Sequence, residues 1–215
     1  MAEIALLLSL FPASIAKRLK QGEKNIAESA SNVAVLFSDL NGFTQLSDSL
    51  SAYEIVSVLN ELVTRFDEAA EQYGMEKIKT IGDSYMAVCG LSVPYLDHDR
   101  RAFDFALEML TIVRRFNHEN SYQLNVSIGI NSGDVVAGIV GRNKFIYDVW
   151  GDTINLANAL KTACPSGSIL VAETVHGRLG DLYDFEPVKL PLPGEILGNG
   201  TDLKAWRYKY QSPPL

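Results

Sequence analysis

The chain has 215 residues, 47% of them hydrophobic, which predicts one folded domain with a full core rather than a disordered chain. Its formal net charge of −7 argues against a nucleic-acid-binding protein, since such proteins carry basic stripes. Two cysteines without a spacing pattern favour a reducing, cytoplasmic compartment. The sequence contains no HExxH, CxxC or GxxxxGK[ST] motif, so zinc hydrolases and P-loop proteins lack their usual support.

The first 30 residues are predicted to be a helical lead-in to the domain. Their apolar positions form an imperfect helical stripe, interrupted by Pro12: Leu7, Leu10, Ile15, Leu19 and Ile26. Two interpretations stay open, a helix packed on its own domain and a connector helix to an upstream sensor, a membrane domain or a second copy. The apolar run over residues 4–11 is too short to span a bilayer. For the division of the chain we adopt the connector helix over residues 1–30 and one folded domain over residues 31–215.

The next elements alternate between strand and helix patterns. Residues 32–39 are almost wholly apolar and β-branched, which predicts a central strand buried on both faces. A helical pattern runs from Ser51 to Gly74, which supplies a stop signal. The strand-like runs MEKIKTI and SYMAVC follow and meet at Gly82 and Asp83, which predicts a hairpin.

The second half of the chain continues with further helices and strands. Residues 97–116 predict an amphipathic helix, and the strict alternation over residues 124–130 predicts a half-buried strand. We expect residues 134–140 to return along it as a hairpin partner after Ser132 and Gly133. A helix over 151–162, a strand over 168–172, a short helix and a meander ending at 203–209 complete the prediction. The order β-α-β-β-α-β predicts an α+β, ferredoxin-like fold with C-terminal additions.

Two aspartates stand at strand ends that this topology brings together. Asp39 ends the first buried strand, and Asp83 lies at the tip of the next hairpin. Paired carboxylates at a sheet edge suit Mg²⁺ or Mn²⁺, which bind through one or two carboxylates plus phosphate oxygens. The competing interpretation is that each aspartate is only a turn residue. The turn Asn41-Gly42-Phe43-Thr44 follows Asp39 and leads into helical sequence, and backbone N–H groups in such a turn form an anion site.

Four blocks of the sequence resemble the class III adenylyl and guanylyl cyclases. FSDLNGFT resembles the family motif F-x-D-[IL]-x-G-F-[TS], and KIKTIGDSYMAVCG resembles its K-x-x-G-D-x-[YF]-M block. GINSGDVVAGIVG is similar to the G-I-x-x-G-x-V-x-x-G-x-x-G strand pair, and FIYDVWGDTINLAN to the [FY]-x-x-x-G-x-x-V-N-x-A-[SA]-R block. The blocks occur in family order across residues 33–160.

The resemblance implies a role for each matching residue. Asp39 and Asp83 match the aspartates that hold two Mg²⁺ or Mn²⁺ ions per active site, and the carbonyl of Leu40 also touches a metal. The residues that match the triphosphate-binding turn are Asn41, Gly42, Phe43 and Thr44. Lys79 and Asp148 match the pair that reads the purine, and Asn155 matches the asparagine that orients the ribose and steadies the transition state.

These matches imply an adenylate cyclase that converts ATP to 3′,5′-cyclic AMP and pyrophosphate in a homodimer. A lysine donor and an aspartate acceptor suit the N1 and 6-amino groups of adenine, whereas guanine presents the opposite pattern. In the family the metal aspartates and the purine-reading residues meet across a dimer interface, and this chain carries both sets.

Two departures from the family pattern keep alternatives open. The family arginine four residues after the asparagine is Ala159, and the family lysine near the C-terminus falls at Leu197. Both family residues neutralise triphosphate charge, so a low-activity or inactive pseudo-cyclase acting as a nucleotide-binding dimerisation domain stays open, as does a guanylate cyclase. The candidates for replacing the lost cations are Lys144, Lys161, Lys189 and Lys204. Of these, Lys161 lies about 200° around the helix from Ala159 and should face away from it.

Overall fold

A long central strand, β1 (Ala27–Asn41), organises the fold. The computed structural model describes residues 10–24, 26–141, 144–190 and 203–209. The helices are α1 (Ala13–Lys20), α2 (Phe43–Ser47), α3 (Ala52–Tyr73), α4 (His98–Asn120), α5 (Asp152–Ala163) and α6 (Glu173–Leu179). The other strands are β2 (Glu76–Ile81), β3 (Ser84–Cys89), β4 (Asn125–Val140), β5 (Ile146–Trp150), β6 (Ile169–Ala172), β7 (Phe185–Leu190) and β8 (Leu203–Tyr208).

These strands form one sheet in the order β2-β3-β1-β4-β6-β8-β7, and β5 pairs with the far end of β4. Strand β6 runs parallel to β4, and the other pairings are antiparallel. The order β1-α3-β2-β3-α4-β4 confirms the predicted ferredoxin-like α+β core, with β5 and the later elements added to it.

Helices α3 and α4 cover one face of the sheet, and local signals fix where α3 begins and ends. Ser51 and Glu54 form a capping box at its start, and Gly74 ends it with a left-handed φ of 70°. The buried residues of these helices pack on Ala34, Leu36 and Leu40 of β1. This face contains the main hydrophobic core.

The opposite face of the sheet is covered by α5 and by the folded-back hairpin of β4 and β5, which we call the arm (residues 135–150). Val135, Ala137 and Val149 of the arm pack with Val33, Val35 and Phe37 of β1. Alternation along β1 therefore sends the odd-numbered side chains, including Asp39, toward the face that carries the arm and α5.

The expectation of a turn at Ser132 and Gly133 is wrong, because β4 runs unbroken from Asn125 to Val140. Gly133 serves close packing instead of chain reversal. A Cβ added there would lie 2.7 Å from the hydroxyl oxygen of Thr153 at the start of α5. The strand that does return along β4 is β5, with Val136 opposite Trp150 and Val140 opposite Ile146.

The N-terminal helix α1 packs on its own domain. It begins directly after Pro12, and Phe11, Ile15 and Ala16 are buried with Ile26 against Ile139 and Tyr147 of the arm. Residues 1–9 of the expected lead-in lie outside the described residues, and β1 already begins at Ala27. Among the helices in the described ranges, none combines the length and apolarity needed to cross a membrane.

Candidate active site

Two carboxylates meet where β1 ends and the hairpin of β2 and β3 turns. Asp39 pairs with Ser84 in the β1 and β3 register, and the Ser84 hydroxyl donates a hydrogen bond to Asp39 Oδ1. Asp83 lies in the turn just before β3, as predicted. Burial raises the pKa of the Asp83 carboxyl above its usual range, and the negative charge of Asp39 raises that pKa further. The two like charges therefore favour a cation between them.

The donor set fits a hard divalent cation that also binds its substrate. No group of three or more histidine, cysteine or acidic side chains suited to a metal occurs in the described ranges. Two carboxylates alone match Mg²⁺ or Mn²⁺, which take further ligands from phosphate oxygens and water. The side chain of Leu40 is buried in the main core, so this residue has only its backbone to offer a metal.

The turn after Asp39 is fixed from both sides. The Ser127 hydroxyl donates to Asn41 Oδ1 at 2.7 Å, so the Asn41 amide anchors the turn to β4. Gly42 has a left-handed φ of 87°, and a Cβ there would lie 3.2 Å from the Gln123 carbonyl oxygen. Phe43 packs against the main core, while Thr44 is exposed at the start of α2. The backbone of this first helical turn lies at the same strand end as Asp39.

Lys79 and Asp148 form a direct ion pair although 69 residues separate them in sequence. The arm brings β5 over the second face of the sheet and so places Asp148 against β2. Asp148 Oδ1 also accepts a hydrogen bond of 2.8 Å from the backbone N–H of Val149. The Lys79 side chain is 32% exposed and that of Asp148 is 15% exposed, which leaves the pair reachable from outside.

Asn155 and Ala159 lie four residues apart on α5 and therefore share one side of the helix. The start of α5 is anchored by the Thr153 hydroxyl, which donates to the Asp134 carbonyl at 2.7 Å. Asn155 is exposed on the surface of the helix. Ala159 is 7% exposed, so an arginine there would have to extend along the helix to reach solvent.

The structure adds a residue that the sequence analysis did not assign to the metal site. Lys161 Nζ lies 3.8 Å from Asp39 Oδ1, and its side chain is 14% exposed. The expectation that Lys161 faces away from Ala159 agrees with this position. A spacing of four residues places Lys161 on the same side of the helix as Ala157, whose buried side chain packs on the sheet. This spacing was a signal in the sequence that Lys161 faces the sheet.

The other three candidate lysines do not approach the carboxylates through any described contact. Lys144 is exposed in the loop of the arm, and Lys189 and Lys204 are exposed and face each other across β7 and β8. Leu197 lies outside the described residues.

Comparison with known proteins gives one consistent result. The model of the adenylate and guanylate cyclase catalytic domain matches residues 26–198. An adenylate cyclase of Mycobacterium tuberculosis (strain H37Rv) is 42% identical over 178 residues, which are 82% of this chain and 40% of that protein. The chain thus spans about two fifths of the length of this relative.

Two solved structures share the fold. The catalytic core of a rhodopsin-guanylyl cyclase with converted specificity, in complex with ATPαS, has a TM-score of 0.79 and 29% identity, covering 86% of this chain and 98% of that one. The guanylate cyclase domain of RhGC from Catenaria anguillulae, in complex with GTP, has a TM-score of 0.78 and 27% identity, covering 86% and 100%. With the four motif blocks and the fold, these matches establish that the chain belongs to the adenylate and guanylate cyclase catalytic domain family.

Proposed function

We propose that this domain is an adenylate cyclase that converts ATP to 3′,5′-cyclic AMP and pyrophosphate at a site shared by two copies of the chain. The observation that carries the proposal is that one face of the sheet bears both the carboxylate pair, Asp39 and Asp83, and the ion pair of Lys79 and Asp148. A relative that is 42% identical over 178 residues is also an adenylate cyclase.

Asp39 and Asp83 are the groups that would hold two Mg²⁺ or Mn²⁺ ions, together with the backbone of Leu40. When bound, such ions supply Lewis-acid stabilisation of phosphate oxygens and favour ionisation of the ribose 3′-hydroxyl. Ser84 orients Asp39 through its hydroxyl donor, which leaves the second oxygen of that carboxylate available. The protein then contributes positioning and charge, and the reaction needs no nucleophilic side chain.

The remaining site residues select and orient ATP. Lys79 would donate a hydrogen bond to adenine N1, and Asp148 would accept one from the 6-amino group. The turn of Gly42, Phe43 and Thr44 would direct N–H groups at the triphosphate, with Asn41 holding the turn in place. Asn155 is exposed on α5 and would orient the ribose of the same nucleotide.

The outer surface of the arm supports a homodimer. Its exposed apolar side chains are Val136, Val140, Phe145, Ile146 and Trp150. Val136 pairs with Trp150 and Val140 with Ile146, so these four share one face of the arm. Alternation places Asp148 on that face too, between Ile146 and Trp150. A second copy that covers this apolar face would therefore lie beside the purine-reading pair, as a site shared by two chains requires.

We place this domain in the cytoplasm. The position of α1 supports coupling of the domain to an upstream sensor or membrane domain. Its buried residues touch Ile139 and Tyr147, which belong to the arm that carries Asp148. A displacement of α1 would thus reach the purine-reading pair through direct contacts.

The direct test is to incubate the purified chain with ATP or with GTP in the presence of Mn²⁺ and to identify the cyclic product. We expect cyclic AMP from ATP and little product from GTP. Asp39→Ala and Asp83→Ala should abolish product formation, and the exposed Asp181→Ala should serve as the unaffected control. Cyclic GMP as the main product would indicate a guanylate cyclase, and nucleotide binding without any product would indicate a pseudo-cyclase.

A further inference from the structure

Lys161 is a cation placed inside the carboxylate site. Its Nζ lies 3.8 Å from Asp39 Oδ1, and at 14% exposure most of its side chain is removed from water. Its positive charge also lowers the pKa of Asp83, against the larger opposing effects of burial and Asp39. Lys161 therefore acts on both carboxylates.

The backbone holds Lys161 in this place. A Cβ added at Gly129 of β4 would come within 3.0 Å of the Lys161 backbone nitrogen and of the Ala157 carbonyl oxygen, so α5 rests directly on the strand there. Gly129 pairs with Phe37 of β1, and two residues further along the register Ser127 pairs with Asp39. The backbone of α5 is thus held at a set distance from Asp39. Lys161 is therefore more restricted in position than a lysine on an exposed surface.

We propose that Lys161 is a built-in counter-ion of the metal site, which stabilises the metal-free carboxylates and must yield Asp39 when a divalent cation binds. This inference rests on the proposed function, because it takes Asp39 and Asp83 as the metal ligands. A partly buried positive charge beside a metal-binding carboxylate repels the incoming cation and so lowers the affinity of the site for it. Because the charge is partly buried, salt screens this repulsion poorly. Lys161 therefore sets the metal affinity of this domain below that of the two carboxylates alone.

The experiment measures Mn²⁺ binding to the nucleotide-free chain by the loss of the free Mn²⁺ signal in electron paramagnetic resonance. Lys161→Met and Lys161→Gln both remove the charge and should bind Mn²⁺ about tenfold more tightly than the wild type. Lys161→Arg keeps the charge and should stay within about threefold of the wild type. Lys189→Met makes the same change in net charge at an exposed site on β7 and should leave the affinity unchanged.

Thermal unfolding gives a second reading that does not depend on activity. Without metal, Lys161→Met should unfold at a lower temperature than the wild type, because Asp39 and Asp83 then repel each other without a counter-ion. Saturating Mn²⁺ should raise its unfolding temperature by more than it raises that of the wild type, since the ion binds more tightly.

The outcomes separate this inference from the proposed function. If Asp39→Asn removes Mn²⁺ binding but Lys161→Met and Lys161→Gln bind within about twofold of the wild type, the inference alone is overturned. Tighter Mn²⁺ binding by Lys161→Arg would also overturn the inference, because the positive charge of Lys161 would then not be what lowers the affinity. If Asp39→Asn binds Mn²⁺ like the wild type, the metal site and the inference are both wrong. Support requires tighter Mn²⁺ binding by both Lys161→Met and Lys161→Gln, together with an unchanged affinity of Lys189→Met.

Discussion

At the residue level, the ion pair of Lys79 and Asp148 allows a test of the proposed base selection. Changing Lys79→Glu together with Asp148→Ser should lower kcat/KM for ATP and shift the ratio of ATP to GTP use at least tenfold, because an unpaired buried polar group costs about 1–3 kcal/mol. Initial rates with each nucleotide measure that ratio. Lys77→Glu is the matched control, since Lys77 lies on the same strand but pairs with Asp67 of α3. An unchanged preference in the double variant would refute the base-reading role.

Ala159 offers a second residue-level prediction. An arginine there would share the side of α5 that carries Asn155 and would add a donor for the phosphate oxygens. A preorganised donor to a developing oxyanion contributes about 10²–10³ in rate, so we expect Ala159→Arg to raise kcat more than it lowers KM. Steady-state kinetics measure both constants. Asn158→Arg, an exposed neighbour on α5, controls for the added charge. A neutral or harmful Ala159→Arg would show that other groups already hold the phosphates.

Sequence reasoning located the side chains whose neighbours are set by strand order or by a motif. The encounters of Asp39 with Asp83 and of Lys79 with Asp148 follow from strand order and from the family blocks, and the structure brings both pairs together. Their roles stay predictions. Lys161 was not placed at the metal site, because helix periodicity gives its angle relative to Ala159 but does not say which strand that angle faces.

His98, in a polar stretch of sequence, is a second residue whose contacts local sequence does not predict. The run around it is typical of an exposed helix start, and His98 does begin α4. Its ring is nevertheless buried, and Arg178 of α6 donates to its Nε2 at 2.7 Å while also pairing with the buried Asp99. Its partner Arg178 lies on α6, 80 residues away in sequence, so no local signal predicts this contact.

At the scale of whole elements, Gly129 decides how closely α5 approaches the sheet. A methyl group there would collide with the α5 backbone, so Gly129→Ala should destabilise the domain by about 1–3 kcal/mol. Chemical denaturation measures this change. Gly177→Ala in α6 has open space around the added Cβ and should be neutral or stabilising. If Gly129→Ala and the wild type were equally stable, α5 would be able to move away from β4 without a loss of stability.

Element types were easier to predict than their ends and connections. The helices α3, α4 and α5 and the hairpin of β2 and β3 occur where periodicity and turn residues predict them. The error at Ser132 and Gly133 arose because a glycine signals either a turn or a close contact. In β4 the close contact is with Thr153, and the local sequence around Gly133 does not predict that contact.

For the whole molecule, the central issue is whether one chain contains a complete site. The arm exposes an apolar face next to Asp148, and Asp39 lies near the end of β1, two residues before Asn41. Both sets are present in each chain, so a two-fold dimer would contain two equivalent sites. Activity per chain should then fall on dilution below the dimer dissociation constant.

Mixing two inactive variants tests this assembly directly. Asp39→Ala lacks the metal half of the site and Asn155→Ala lacks the ribose-orienting half, so each homodimer should be inactive. In a heterodimer one site combines both lesions, and the other receives an intact half from each chain. Random pairing makes half of the dimers mixed, with one working site of two, so we expect about one quarter of the wild-type activity. Two different affinity tags would verify that mixed dimers form. Mixing Asp39→Ala with Asp83→Ala is the matched control, because both lesions lie in the metal half and every site stays incomplete. Verified heterodimers of Asp39→Ala and Asn155→Ala without activity would instead place the whole site within one chain.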